Sequence, residues 1–223
     1  MKLPFSYEQF LGTLRQYNEA IWPLQLLFYL LAILSVFLLF KNVKSGNKIM
    51  TGILCFFWIW MGSVYHFTFF TSINKAAYVF GSLFILQSFM LFTYGIFNNK
   101  LSFSFCHGVY SITGLLYIIF ALIIYPLAGY IFGHKYPGAP TFGLPCPTTI
   151  FTFGIFLATK EKISFWLLII PLAWSFIGFT ASYKLGIWED SSLLIAGPLA
   201  TVLLLKKSSK QFALLGNSKA TAL

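Results

Sequence analysis

The chain has 223 residues, of which 58% are hydrophobic and only 9% charged, with a mean hydropathy of +0.81 and a formal net charge of +10. A water-soluble domain carries roughly 25% charged residues to cover its surface, and 27 phenylalanines are too many for one aqueous core of this size, so a soluble fold is excluded. The basic excess does not point to nucleic acid either: the fifteen Lys and Arg residues are scattered between apolar runs rather than gathered on one face.

In chain order, residues 5–18 read as an amphipathic helix. Ser6 and Gln9 stand at capping-box spacing, and Phe10, Leu11, Leu14 and Tyr17 repeat on one face. Such a helix lies flat at the membrane interface. Residues 1–19 lack the apolar core and small-residue cleavage site of a secretory signal and are expected to be retained. Apolar runs follow at residues 20–40, 49–71, 76–97, 103–132, 147–159, 163–183 and 191–205. About 20 apolar residues in a helix span the hydrocarbon with every backbone bond satisfied internally, and runs apolar on all sides exclude the alternating pattern of a barrel. The expected fold class is all-α: a polytopic transmembrane helical bundle of about seven spans, with a basic tail at 206–223.

Two runs depart from a simple span. The run at 103–132 is long, and Pro126 is expected to kink or end it. The run at 147–159 is only roughly 20 Å long at 1.5 Å per residue. It either crosses, with Lys160 and Lys162 snorkelling, or is re-entrant.

Charge sets the expected orientation. With seven spans, Lys41, Lys44, Lys48, Lys100, Lys160, Lys162 and the tail lysines 206, 207, 210 and 219 share one side. Lys2, Arg15, Lys75, Lys135 and Lys184 share the other, a division of ten against five among the fifteen. Positive charge stays inside, which puts the N-terminus outside and the C-terminus in the cytoplasm of a cell membrane, the inner membrane of a bacterium. The cytoplasmic lysines then meet anionic lipid headgroups. If residues 147–159 turn back, the same division recurs with the N-terminus inside. The loop after the first span, with three lysines and no acid, favours the first arrangement.

Under that topology the unusual polar residues gather on the outer side. Tyr65 and His66 lie near the outer end of the second span, and Asn74 and Lys75 form the turn after it. Cys146 stands between Pro145 and Pro147 in a proline-rich connection, and Glu189 and Asp190 precede the last span. These seven residues form the candidate polar pocket, since ionisable groups within a span are costly and mark function. Structural roles compete with it. Asp190, followed by Ser191 and Ser192, is placed to cap the last helix. Glu189 is free to pair with Lys184 or Lys75, His66 to bond Asn74 or Tyr17, and Pro147 to occupy a first helical turn.

The sequence is similar to a bacterial family of small multi-pass membrane proteins known only as a domain of unknown function. The residues that carry the resemblance are Tyr17-Asn18, Trp22-Pro23, Ile73-Asn74, Pro140-Thr141-Phe142-Gly143 running to Pro145-Cys146-Pro147-Thr148-Thr149, and Glu189-Asp190. It implies a membrane location and a similar helix count, and brings no activity or site residues.

Three function classes follow. The first is a bundle that binds or passes a small solute or ion at the outer pocket. The second is a membrane enzyme using Cys146 as nucleophile or His66 as base, for which a third orienting group is conjectural. The third is a structural or assembly subunit, with Trp58 and Trp60 facing a partner. The three cysteines give neither a disulfide framework nor paired metal spacing, and soft metals need three or four ligands, so no metal is expected. No cofactor is expected either: nucleotide-binding glycine loops and helix-borne His pairs are absent, and residues 191–205 hold no lysine for a retinal.

Overall fold

The computed structural model describes residues 3–41 and 43–220, with side chains as far as Lys207. It contains α1 (Tyr7–Ile21), α2 (Leu24–Phe40), α3 (Gly46–Ser72), α4 (Ala77–Phe97), α5 (Val109–Ile131), α6 (Pro145–Leu157), α7 (Trp166–Leu185) and α8 (Ser192–Ala220). Five helices are long and apolar enough to cross a membrane: α3, α4, α5, α7, and Trp188–Lys207, which leads into α8. The pair α1 and α2 passes the same test together but is bent by 84°.

α1 starts where the capping box places it. Gln9 N–H donates to Ser6 Oγ at 3.3 Å, and Ser6 N–H donates back to Gln9 Oε1 at 2.8 Å. It stops at Ile21, ahead of Pro23, which has no N–H to continue the ladder. The chain then turns through the bend, so α1 lies across the end of the bundle while α2 runs along it.

α6 occupies the middle. Twelve of its 13 residues are buried. It begins under α1 and ends at the opposite end, where Ser104 N–H donates to Ala158 O at 2.9 Å and Lys160 N–H donates to Ser102 O at 2.7 Å. Lys207 completes that end by donating to the carbonyls of Leu157 and Thr159. The segment therefore runs from the α1 end of the bundle to the opposite end, and other parts of the chain cover both of its termini.

Helices approach most closely where glycine faces glycine. A Cβ on Gly114 would stand 2.5 Å from Gly154 O, and one on Gly62 would stand 2.7 Å from Gly81 O. Small residues at such crossings let the two backbones come close together. Phe57, Trp58, Phe84, Phe151, Phe153 and Phe156 fill the interior between these crossings. Trp58 donates to Thr152 Oγ1 at 3.1 Å, so it is a core residue and not, as the assembly reading requires, part of an outward face.

Of the two outcomes expected at Pro126, the run does not end there: a wide π turn at Phe120–Ile124 interrupts the regular helix just before it, the proline enters the next helical stretch, and α5 continues to Ile131. The last helix continues through Lys206 to Ala220, so the basic segment extends α8; residues 221–223 lie outside the described part.

Replacing Gly154 with valine should lower stability by about 1–3 kcal/mol, because a backbone carbonyl leaves no room for the side chain. Gly52→Ala, with nothing near its Cβ, should not. Thermal unfolding in detergent compares the two, and equal midpoints would contradict the close-contact account.

Candidate functional site

The candidate site lies beneath α1, and a polar clasp holds α1 there. Asn18 Nδ2 donates to the carbonyls of Pro137 at 2.6 Å and Ala139 at 2.8 Å. Its Oδ1 accepts from Gln25 Nε2 at 2.7 Å and from Thr141 Oγ1 at 2.9 Å. One buried amide thus ties α1, α2 and the 132–144 connection together. Tyr17 adds a second tie, its hydroxyl donating to Gly143 O at 3.3 Å and accepting from Trp60 Nε1 at 2.9 Å. Gly143 has φ +100, and the Phe28 ring comes within 2.3 Å of where its Cβ would be, so only glycine fits this turn.

Under the clasp is a cavity of about 140 Å³. α1 roofs it with Phe10 and Leu14, α3 contributes Tyr65 and Phe70, and α7 contributes Trp174 and Gly178. Tyr125 of α5, Cys146 in the first turn of α6, and Asp190 add polar groups, as do Asn74, Thr180 and Ser182. Asp190 sits in the tight turn Trp188–Ser191 and is 5% exposed. Its Oδ1 accepts a hydrogen bond from the Tyr125 hydroxyl, and the Cys146 thiol lies against the same carboxyl group. A Cβ on Gly178 would stand 3.5 Å from Cys146 Sγ and 3.6 Å from Trp174 Nε1, so the bare glycine keeps this corner open. The Trp174 N–H is close to that sulfur but has no oxygen or nitrogen partner.

Of the seven residues singled out from the sequence, Tyr65, Asn74, Cys146 and Asp190 line this cavity. Asn74 also accepts from Ala76 N–H at 3.0 Å and so starts α4. Lys75 is exposed and does not line it. His66 is fully buried behind the wall, with its ring 5.2 Å from Trp174 and 4.8 Å from Phe84, and neither ring nitrogen has a hydrogen-bond partner. The expected bond to Asn74 or Tyr17 is therefore not made, because aromatic rings surround the imidazole.

Glu189 points the other way. Its Oε1 meets His134 Nδ1 at 2.7 Å, and both residues are buried. That replaces the pairing with Lys184 or Lys75 suggested by sequence proximity. The His134 partnership was not legible in the sequence: fifty-five positions separate the two residues, and only the fold of the 132–144 connection unites them. Asp190 has a partner that the capping reading did not include, since its carboxylate accepts from a tyrosine on α5.

The polar neighbours of the Cys146 thiol are Asp190 and Trp174. Among the described residues no three His, Cys, Asp or Glu side chains converge on a point that a metal ion could occupy. The arrangement instead offers apolar and aromatic walls with a few converging polar groups, the usual make-up of a small-molecule site.

The chain matches, over residues 7–213, the family described as Family of unknown function (DUF6064), and it belongs to that family. No curated protein and no solved structure matches it.

Replacing His134 with alanine should destabilise the protein by about 3–5 kcal/mol, the usual cost of leaving a buried charge unpaired. Adding Glu189→Gln should recover much of the loss. Denaturant midpoints of both single variants and the double variant measure this, and a purely additive double variant would contradict the pairing. His66→Phe should raise stability by about 1–2 kcal/mol, because it removes two unpartnered buried nitrogens from an aromatic surround; a lower thermal midpoint would show that the nitrogens are engaged.

Proposed function

We propose that this member of the family is a multi-pass membrane protein that binds a small solute in the cavity beneath α1, at its extracytoplasmic end. The observation that carries the reading is the cavity itself. Within a chain that is only 9% charged, it collects a carboxyl group, a thiol, an indole N–H and two phenols from five separate segments. Polar groups are expensive in such an interior and are kept where they act.

Lysine placement supports the orientation. Lys41, Lys44, Lys48, Lys100, Lys160, Lys162, Lys206 and Lys207 all stand at the end away from the cavity, between or after helices that terminate there. Positive charge at that end makes it cytoplasmic, and it faces anionic headgroups. The cavity end carries fewer, namely the exposed Arg15, Lys75, Lys135 and Lys184, together with the amphipathic α1. Below the cavity the interior is filled with fully buried aromatic residues. The arrangement suits a binding site reached from one side better than an open pore.

Two measurements test the proposal. In a cysteine-free variant, an impermeant maleimide added to whole cells should label Lys135→Cys and spare Lys160→Cys; the reverse pattern would invert the orientation. A panel of small polar solutes should include at least one that raises the thermal midpoint of the purified protein. That shift should vanish in Gly178→Leu, whose side chain fills the corner between Cys146 and Trp174. If every shift survives that variant, the binding site lies elsewhere.

A further inference from the structure

The chemistry of the cavity wall restricts what it can hold. Among the described residues that line it, Asp190 is the one carboxylate, and there is no lysine, arginine or histidine. Its hydrogen-bonding neighbours, Tyr125 and Cys146, are neutral donors. The adjacent Glu189 supplies no positive charge: one of its oxygens meets His134 and the other has no partner. The single imidazole nearby, His134, is bound to Glu189, so Asp190 has no cationic partner among the described residues that line the cavity, and a carboxylate taken out of water without a counter-charge is costly.

The rest of the wall fits a cation with a hydrocarbon body. Tyr65, Phe70 and Trp174 present aromatic surfaces, which attract ammonium groups through the ring quadrupole. Leu14, Ile177 and Leu185 offer contact to carbon. An anion would meet Asp190 with nothing to offset it, and a zwitterion would bring its own carboxylate into the same surroundings. A hard metal cation takes six or more oxygen ligands, which a wall this apolar does not supply. The volume of about 140 Å³ is on the scale of a ligand of about six heavy atoms, since a cavity of roughly 150 Å³ admits benzene.

We infer that the cavity is a site for a small organic cation, a protonated amine on a short branched or cyclic hydrocarbon, with Asp190 as its counter-charge. This rests on the solute-binding reading above and specifies its ligand class.

The test uses the full-length protein in nanodiscs with Cys55→Ser and Cys106→Ser, so that Cys146 is the reporting thiol. The rate at which methyl methanethiosulfonate modifies Cys146 is followed with increasing isopentylamine, isopentanol or isovalerate, three molecules of nearly one shape and different charge. The amine should protect the thiol at a concentration about tenfold or more below the alcohol, and isovalerate should protect least. Asp190→Asn, which keeps an acceptor for Tyr125, should bring the amine-to-alcohol ratio close to one. Thermal midpoints with the same three molecules give a readout independent of the thiol and of that variant.

Equal protection by alcohol and amine would overturn the cationic assignment and leave solute binding standing. Preferential protection by isovalerate would do the same. An amine preference that survives Asp190→Asn would overturn the role of Asp190. If none of the three protects the thiol or raises the midpoint, both this inference and the solute-binding reading fail.

Discussion

Everything in this bundle depends on how α6 satisfies its main chain. A backbone shielded from water must find partners for each N–H and C=O, and α6 is buried along nearly its whole length. Its interior bonds are helical. Its upper end begins with prolines, which have no N–H to satisfy. Its lower end is closed by the 102–104 segment and by Lys207, whose ammonium group covers the last carbonyls and lies 5.5 Å over the Tyr110 ring. Lysine at a helix C-terminus also offsets the negative end of the helix dipole. The surrounding helices are arranged about this axis, and the glycine contact between α5 and α6 sets how near they come.

The cavity follows from the same constraint. Because α6 is shorter than its neighbours and starts below their ends, a space remains above its first turn. The chain closes that space with α1 instead of filling it. The clasp centred on Asn18 is what makes this roof specific: an amphipathic helix would lie on any interface, but four hydrogen bonds to one amide fix it over Cys146 and Asp190. The bonds that fix α1 are thus also the bonds that roof the cavity.

Much of the fold was legible because membrane helices announce themselves by length and hydropathy. The apolar runs and the capping box at Ser6 are local and lie close to where the helices form, whereas the bend at Trp22-Pro23, inside the run at 20–40, came only with the structure. The site was legible in part. Tyr65, Asn74, Cys146 and Asp190 were recognisable as polar groups at one end of an apolar chain, and they do line one cavity. Lys75, His66 and Glu189 were drawn into the same group by that end-of-span argument and are not part of the lining. Depth along a helix can be counted from sequence, but the direction of a side chain around its axis depends on neighbours the sequence does not order.

The sequence by itself determined that this is an all-helical chain with apolar runs of membrane length. Those properties follow from residue type and spacing alone. Only the tertiary structure decided that α6 runs through the centre, that Glu189 turns to His134 while Asp190 turns to Tyr125, and that His66 ends among aromatic rings. Adjacent residues on a tight turn point to opposite sides, and which side faces a partner is fixed by contacts between segments distant in the chain.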